Sequence, residues 1–393
     1  MRARTVCFGS FFSPEIGDPE RFLAETPLLR ELPVRMAARG YAVHVVQSFA
    51  SDAHIRRGGV DYHFVRTHSR ASAGSSTWRR LSRQLPAVRA VRKIRLLQPD
   101  IVHWHGSSLY LNHLLVRRAL PEASFILQYH GGLPSPNPFA RRLQRTAFAR
   151  TQRFLFTTRE HAAPFIEAGL IDDEASVSEF METSSDFAPA DREAARAATG
   201  MEGQPVFLST ARLDAIKDPL TTLRGFERIA QIWPSARLHM FYTDAPLLRD
   251  VQGFIQSRSD LRGRVLLRGR APLEQMPLIY NSADFLLQAS RREYSGCAVL
   301  EAMACGVIPI VTDIPSFRAM TGDGRLGGLF PPGDCEALAR SAVASSLACL
   351  PLHRARVREH FEAALSFDVL AARLDDIYRN AFERVATSTT VAA

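Results

Sequence analysis

Short apolar runs alternate with helical patterns in this sequence, and the alternation occurs twice along the chain. The apolar runs have the length of strands and end in polar or glycine residues, and segments with helical spacing lie between them. The runs occupy 4–12, 41–49, 99–106 and 124–132 in the first series, and 205–213, 236–244, 264–270, 284–290, 307–313 and 328–334 in the second. Such alternation predicts right-handed βαβ units and parallel sheets. We therefore expect an α/β protein of two Rossmann-like, doubly wound domains whose sheets face a cleft.

The length of 393 residues also favours two domains, because it exceeds what one hydrophobic core usually supports. The segment 171–203 is acidic, small and polar at both ends, so we place an interdomain linker within it. The predicted division is an N-terminal domain over 1–185, a linker over 186–203, a C-terminal domain over 204–365, and a helix over 366–393 that returns to the N-terminal domain. Within the helical pattern of 28–40, Pro33 predicts a kink or an early break.

The composition is that of an ordinary globular protein, with 46% apolar and 23% charged residues. We recognise no signal peptide, and no apolar stretch approaches the roughly 18 residues of a membrane-spanning helix. The five cysteines lack the paired spacing of a metal knuckle or a disulfide framework. These features predict a cytoplasmic protein, with peripheral contact at the inner membrane face as an option.

The net charge of +9 is concentrated in one part of the chain. Residues 62–158 contain sixteen Lys or Arg and two acidic residues. Within that range, 66–95 has nine basic residues, no acidic one, Trp78, and apolar residues at helical spacing. This pattern suits a helix on an anionic membrane surface, and a solvated helix beside an anionic substrate is an equal alternative. Nucleic acid is not an expected partner, because no recognition module accompanies the basic segment.

Two glutamates, Glu293 and Glu301, flank the start of a predicted helix that follows a strand. The backbone N–H groups at that helix end belong to Gly296, Cys297 and Ala298. Such an end binds anions, and its small residues let a diphosphate approach the backbone. A carboxylate is repelled by phosphate, so we expect sugar hydroxyls as the partners of both glutamates. The competing interpretation is structural, since the helix dipole alone favours a Glu in the first turns.

A second strand end, in "STARLDAIKDP" at 209–219, supplies two basic residues, Arg212 and Lys217. In open α/β sheets the ligand lies at the carboxyl ends of the strands. Arg212 and Lys217 are therefore placed to hold a diphosphate and to neutralise the charge that develops as a glycosidic phosphate bond breaks. Taken alone, two such residues in a loop are more often solvated charges.

Three segments together resemble a known family: "TARLDAIKDPLTTLRGF", "EYSGCAVLEAMACGVIPIVTD" and "GGLFPPGD". They look like the C-terminal domain of the retaining GT-B glycosyltransferases of glycosyltransferase family 4, whose signature is two glutamates separated by seven residues. The resemblance covers about 205–335 well and the N-terminal domain loosely. It implies the GT-B fold and the transfer of a hexose-type sugar from a nucleotide-diphosphate sugar to an acceptor hydroxyl.

The resemblance also implies residue roles. Glu293 would contact hydroxyls of the transferred sugar, Glu301 the nucleotide ribose, and Arg212 with Lys217 the donor diphosphate. The turn in "LLRGRA" resembles the family's turn near the base, which makes Gly269 and Arg270 base neighbours. In the N-terminal domain, "QYHGG" resembles the strand end whose histidine approaches the sugar and the acceptor, so the implied catalytic set is His130, Glu293, Arg212 and Lys217. The family's Asn-Gly-x-Asp segment is replaced here by "FMETSSDFAP" at 180–189, a departure on the acceptor side.

No metal and no cofactor are expected. His103 and His105 lack a third ligand nearby in the sequence, and no D-x-D motif is present to hold a divalent ion on a diphosphate. The expected partners are a nucleotide sugar and an acceptor that is a sugar, a lipid-linked molecule or a small molecule.

A covalent sugar intermediate would need a carboxylate nucleophile, and no residue of the sequence can be assigned to that role. The resemblance implies a front-side transfer, in which the departing phosphate helps to take the acceptor proton while Arg212, Lys217 and the helix N-terminus hold the diphosphate. Two other interpretations stay open at the sequence level. One is a nucleotide-sugar epimerase with the same two-domain architecture, which would form product without an acceptor. The other is a non-catalytic protein that binds anionic lipid through 66–95.

Overall fold

The computed structural model of the protein describes residues 3–12, 14, 16–67, 86–345 and 349–391, with the backbone alone over 383–391. The chain divides into two compact units. The first comprises Met1–Thr183 together with Phe367–Ala393, and the second comprises Ser184–Ser366.

Over the described residues, the first unit contains an eight-stranded sheet in the order β3-β4-β2-β1-β5-β6-β7-β8. All neighbouring strands are parallel except β3 and β4, which form an antiparallel pair at one edge. The strand order reverses between β1 and β5, where a doubly wound sheet binds its ligand. The strands are β1 (Thr5–Ser10), β2 (Ala42–Phe49), β3 (Ala53–Arg57), β4 (Val60–Arg66), β5 (Ile101–His105), β6 (Ser124–Gln128), β7 (Thr151–Phe156) and β8 (Val177–Glu179).

The central strands of this sheet are buried on both faces because helices cover them. Every residue of β1, β5 and β6 is buried. The helices are α1 (Pro19–Glu25), α2 (Pro27–Ala38), α3 (Val88–Leu97), α4 (Tyr110–Ala119), α5 (Pro138–Phe148), α6 (Arg159–Glu167) and, from the end of the chain, α15 (Phe367–Val391).

The second unit has a six-stranded sheet over its described residues, parallel throughout, in the order β11-β10-β9-β12-β13-β14. This is the dinucleotide-binding arrangement, and its order reverses between β9 and β12. Its strands are β9 (Val206–Thr210), β10 (Arg237–Phe241), β11 (Val265–Gly269), β12 (Phe285–Gln288), β13 (Ile308–Thr312) and β14 (Gly328–Phe330). Its helices are α7 (Arg192–Thr199), α8 (Pro219–Ile232), α9 (Leu248–Ser257), α10 (Met276–Ser282), α11 (Cys297–Ala304), α12 (Pro315–Thr321), α13 (Cys335–Ala344) and α14 (Leu350–His360).

The prediction of an α/β protein with two doubly wound parallel sheets is confirmed. Each of the ten predicted apolar runs contains one of the strands. The helix predicted between the first two strands of the second series is α8. The helix predicted over 366–393 is present as α15, and Ser366, which is extended at φ −61° and ψ 154°, separates it from a π-helical turn, Phe361–Leu365.

The structure differs from the prediction at the linker. Residues 186–203 are part of the second unit and include α7, which packs against α10. Asp284, which is almost completely buried, pairs with Arg192 at 2.7 Å and with Arg196 at 2.8 Å. Charged contacts therefore hold this segment against its own unit, and its polar composition does not identify it as a linker.

Pro33 does not break α2, which continues to Ala38. A proline removes one backbone hydrogen bond, but Leu29, Leu32 and Met36 on the same helix are buried and their packing offsets that loss. Helix α15 belongs to the first unit, where it packs against α2, β6 and β7.

Candidate functional site

The two strands at the reversal point of the second sheet bring Lys217 and Glu293 together. Lys217 follows β9 and Glu293 follows β12, and these strands are neighbours in the sheet. The ammonium of Lys217 donates a hydrogen bond to Oε1 of Glu293, and both side chains are more than four-fifths buried. Opposite charges are thus held in contact at the carboxyl ends of adjacent parallel strands, which is where such a sheet binds ligands.

The loop after β9 is shaped by Asp214. Its carboxylate accepts hydrogen bonds from the backbone N–H groups of Ile216 and Lys217, at 3.0 and 2.9 Å. Its second oxygen lies 2.9 Å from the guanidinium of Arg212, a side chain that remains 46% exposed. Asp214 therefore connects Arg212 to the backbone that carries Lys217. The role of Asp214 was missed in the sequence, where an Asp in a loop carries little signal.

The loop after β12 is fixed to the loop after β9 by a second contact. The guanidinium of Arg291 pairs with Oδ2 of Asp218 at 2.7 and 2.9 Å, and its backbone N–H donates to the carbonyl of Ile216. Asp218 also caps α8 by accepting from the backbone N–H of Thr221. The Asp-Pro pair at 218–219 is a helix-start signal that was available in the sequence.

Gly296, three residues after Glu293, is the N-cap of helix α11. No side chain within the described part of the chain caps this helix. Gly296 has φ +86°, and a Cβ there would lie 2.6 Å from Cε1 of Phe317, so both the backbone conformation and the space require glycine. Cys297 and Ala298 form the first turn. Ser316 donates a hydrogen bond of 2.7 Å to the carbonyl of Glu293, which fixes the strand-to-helix loop.

Glu301, further along α11, is bound to Tyr280. The hydroxyl of Tyr280 donates to Oε2 of Glu301 at 2.6 Å and lies 2.9 Å from the hydroxyl of Thr210. Burial raises the pKa of Glu301 to about 7, and the hydrogen bond from Tyr280 acts against that rise. Thr210 is the last residue of β9, so Glu301 is linked to the same strand end that leads to Lys217. The contact with Tyr280 was not predicted.

Gly269 and Arg270 lie at the end of β11, which is an edge strand separated from β9 by β10. Gly269 has φ +69°, and its carbonyl accepts a hydrogen bond from the backbone N–H of Tyr242 at 2.9 Å. Arg270 is exposed. These two residues therefore lie at the carboxyl end of β11, and the other predicted donor residues follow the carboxyl ends of β9 and β12.

His130 lies in the first unit, after β6. Its Nδ1 is 2.6 Å from Oε1 of Glu182, and its Nε2 is 2.7 Å from Nδ1 of His105. Glu182 belongs to the segment 180–189 in which the sequence departs from the family pattern, and sequence reasoning assigned it no role. His105 ends β5, where burial lowers its pKa well below the usual value.

His103 and His105 are the two histidines of β5. Within the described ranges, no three His, Cys, Asp or Glu side chains are grouped so that they could bind a metal ion. The two imidazole rings are instead stacked, with centroids 4.8 Å apart.

Of the basic segment 66–95, residues 68–85 lie outside the described residues, and Trp78 is among them. Of the described remainder, Arg66 ends β4 and 88–95 belong to α3. On this helix Arg89 and Arg92 are exposed, as are Val88 at 65% and Leu96 at 70%. Of the helices in the described parts of the chain, none combines the length and the apolar character needed to traverse a bilayer.

Two family models match the chain. The model for glycosyl transferases group 1 matches residues 204–345, and the model for glycosyltransferase family 4 matches residues 28–177.

Two curated relatives illustrate the sequence similarity. A mannosylfructose-phosphate synthase of Agrobacterium fabrum is 32% identical over 130 residues, which are 31% of this chain and 28% of that protein. A GDP-mannose:cellobiosyl-diphosphopolyprenol alpha-mannosyltransferase of Xanthomonas oryzae pv. oryzae is 25% identical over 251 residues, or 63% of this chain and 65% of that protein. The matched part spans less than two thirds of either relative.

Solved structures share the fold over nearly the whole chain. A sucrose-phosphate synthase from Thermosynechococcus elongatus has a TM-score of 0.74 at 16% identity, and the match covers 97% of this chain and 100% of that chain. The Anabaena protein HepE, solved in complex with UDP and glucose, has a TM-score of 0.68 at 14% identity, with 95% and 99% covered. At these identities the likeness shows the fold, which is GT-B.

Proposed function

Because the chain belongs to glycosyltransferase family 4, we propose that it transfers a hexose-type sugar from a nucleotide-diphosphate sugar to an acceptor hydroxyl, with retention of configuration. The observation that carries the proposal is the contact between Lys217 and Glu293 at the reversal point of the second sheet. A cation for the diphosphate and a carboxylate for sugar hydroxyls stand side by side there, beside the start of α11.

The donor diphosphate is held by Lys217, Arg212 and the start of α11. A helix N-terminus and two cations favour a doubly charged group, and they favour it more as negative charge develops on the leaving phosphate. Glu293 turns from the ammonium of Lys217 to the hydroxyls of the transferred sugar. Glu301 accepts a hydrogen bond from the ribose, and Gly269 with Arg270 border the base.

The transfer proceeds on one face of the sugar. The bond between the anomeric carbon and the phosphate oxygen breaks, the acceptor oxygen bonds to the same carbon, and the acceptor proton passes to the departing phosphate. The nucleophile of a covalent intermediate would have to lie on the face of the sugar opposite the leaving group. In this proposal Glu293 is not that nucleophile, because it pairs with Lys217, which holds the leaving diphosphate. His130 approaches the sugar and the acceptor from the first unit.

The reaction uses no metal ion in this proposal. Arg212 and Lys217 take the charge-neutralising role that a divalent ion has in other nucleotide-sugar enzymes. Transfer is therefore expected to be unchanged by excess EDTA, and loss of activity that Mg²⁺ or Mn²⁺ restores would contradict this part of the proposal.

We also propose peripheral contact with anionic lipid through the basic segment, which makes a lipid-linked acceptor the favoured class. The support is the exposed arginines Arg92 and Arg95 beside the exposed side chains of Val88 and Leu96, whereas the neighbouring Arg89 is paired with Asp52. Vesicles containing phosphatidylglycerol should bind the protein at low salt and release it at high salt, because exposed charges are screened. R92E should weaken binding, whereas R262E, a charge reversal at an exposed arginine of the second unit, should not. Binding that is insensitive to salt, or absent, would contradict the proposal.

The enzymatic proposal is tested in two steps. The first is a thermal-shift screen against UDP, GDP, ADP and dTDP, in which one nucleotide should stabilise the protein, by about 2.7 kcal/mol at a hundredfold excess over its Kd. The second is incubation of the matching sugar nucleotides with an acceptor, and NMR of the product should show the anomeric configuration of the donor. Product of inverted configuration would overturn retention. Product that forms without an acceptor would support an epimerase instead.

A further inference from the structure

Both ring nitrogens of His130 are engaged by other side chains of the first unit. Nδ1 lies 2.6 Å from the carboxylate of Glu182, and Nε2 lies 2.7 Å from Nδ1 of His105. The rings of His105 and His130 are stacked, with centroids 4.9 Å apart and an interplanar angle of 21°. The His130 side chain keeps 21% of its surface exposed. It is therefore held in place on two sides and remains open on another.

A neighbouring amide holds the backbone of Glu182. Nε2 of Gln128 donates to the carbonyl of Glu182 at 3.0 Å, and Oε1 of the same amide lies 2.9 Å from Nε2 of His103. A carbonyl only accepts, so the NH₂ group of Gln128 must face Glu182, and Nε2 of His103 must carry a proton. Nδ1 of His103 then accepts from the hydroxyl of Tyr378 at 2.7 Å. The donor and the acceptor of each hydrogen bond in this series are thus defined, and the series ties the backbone of Glu182 to β6.

The same reasoning sets the proton on His130. A carboxylate accepts hydrogen bonds, so Nδ1 of His130 carries the proton that it donates to Glu182. In the neutral ring, Nε2 of His130 is then an acceptor, and it accepts from Nδ1 of His105. Burial keeps His105 neutral because it lowers the pKa of that imidazole well below the usual value. One tautomer of each ring satisfies all these contacts.

We propose that Glu182 is a positioning residue, which together with His105 fixes the ring orientation and the tautomer of His130 on the acceptor side. This inference rests on the proposed function, in which His130 approaches the sugar and the acceptor. Without the Glu182 carboxylate, the His130 proton can move to Nε2, where it meets the proton on Nδ1 of His105. Either the ring rotates away from the orientation that transfer requires, or the His105 proton moves to its own Nε2, a buried atom with no hydrogen-bond partner among the described residues. Both changes remove the arrangement seen here.

The kinetic test compares two substitutions of Glu182 with one control. E182A removes the acceptor of the Nδ1–H bond and should lower kcat about tenfold or more while the KM for the nucleotide sugar is unchanged. E182Q keeps an acceptor oxygen at that position and should retain most of kcat. E174A, at an exposed glutamate of the same region, should behave like the wild type. A wild-type kcat in E182A, or a loss confined to donor KM, would overturn the inference.

A spectroscopic test does not depend on activity. In the full-length protein labelled with ¹⁵N-histidine, two-bond ¹H–¹⁵N correlations should identify His130 as the Nδ1–H tautomer, with assignment by H130N. E182Q should keep that tautomer and E182A should change it. If His130 carries its proton on Nε2 in the wild type, or if E182A keeps the Nδ1–H form, the inference is wrong. If the NMR results are as expected but no sugar is transferred, the proposed function fails and the positioning contact stands.

Discussion

The hydroxyl of Tyr280 donates a hydrogen bond of 2.6 Å to the carboxylate of Glu301. Burial of this carboxylate raises its pKa to about 7. A ribose hydroxyl binds the ionised carboxylate better than the protonated one. The affinity for a nucleotide sugar should therefore rise as the pH increases through about 7. Calorimetry between pH 6 and 8.5 checks this, with the sugar nucleotide as ligand because its diphosphate does not change its ionisation in that range.

Two variants separate Glu301 from other titrating groups. E301Q should bind more weakly at high pH and lose the pH dependence. Y280F removes the hydrogen bond that lowers the pKa of Glu301, so its affinity should rise at a higher pH than in the wild type. A wild-type pH dependence that survives in E301Q would assign the effect to another group.

The same carboxylate affects folding. Its pKa is higher in the folded chain than the ordinary value of 4.5, so its contribution to stability is fully present below about pH 4.5 and is lost as the pH rises through about 7. At pH 8, E301Q should therefore increase the free energy of unfolding by on the order of 1 kcal/mol, since the half-buried charge is removed. Urea unfolding at pH 5 and pH 8 measures this, and a stabilisation that is equal at both pH values would contradict it.

Because Lys217 and Glu293 form an ion pair, substitutions of the two residues should affect nucleotide binding differently. E293Q frees Lys217, so the affinity for the nucleoside diphosphate should stay the same or rise while transfer falls by about two to three orders of magnitude. K217M should lower both affinity and transfer. Arg212→Ala should also lower transfer strongly. E336Q breaks the more exposed pair with Arg228 and serves as the control, with no effect expected on either quantity. Weaker nucleotide binding in E293Q would contradict the proposed division of roles.

The sequence allowed the strand ends to be predicted because apolar runs and helix signals are local. These runs placed Lys217 after β9 and Glu293 after β12, and the parallel order of the sheet then brings the two together. The partners of the other site residues were not predictable in this way. Tyr280 meets Glu301 and Glu182 meets His130 because separate elements pack together, and no periodicity within either segment encodes the contact.

The prediction of a linker over 186–203 was wrong for the opposite reason. Local signals for a helix are present in this segment, although its composition indicates a linker. Asp191 is the N-cap of α7, and Gly200 ends the helix with φ +61°. Both are standard helix signals. The acidic and small residues around them predict a linker, because composition carries no sign of the contacts that Arg192 and Arg196 make with Asp284.

Asp284 stabilises the second unit through its contacts with Arg192 and Arg196. Its carboxylate also accepts from the backbone N–H of Val206 at 2.8 Å. D284A leaves two arginines without their partner and a backbone donor unsatisfied, so the free energy of unfolding should fall by about 3–5 kcal/mol. Urea denaturation followed by circular dichroism measures the loss. E359Q, at an exposed glutamate of the same unit, should change stability by less than about 0.5 kcal/mol. A D284A variant with wild-type stability would show that α7 is held by its apolar contacts alone.

Gly296 is required by both its backbone angle and its surroundings. At φ +86°, a side chain is strained, and the added Cβ of G296A would lie 2.6 Å from Cε1 of Phe317. G296A should therefore destabilise the protein by about 1–3 kcal/mol and weaken nucleotide binding, because the start of α11 must shift. In G296A/F317L the steric part of the destabilisation should be relieved, and the part due to the backbone conformation should remain.

The matched control is G253A, at an exposed glycine inside α9 with no heavy atom within 4 Å of the added Cβ, where alanine should stabilise by about 0.5–1 kcal/mol. Thermal unfolding and nucleotide titration of the three variants measure these effects, and wild-type nucleotide affinity in G296A would separate the start of α11 from the donor site.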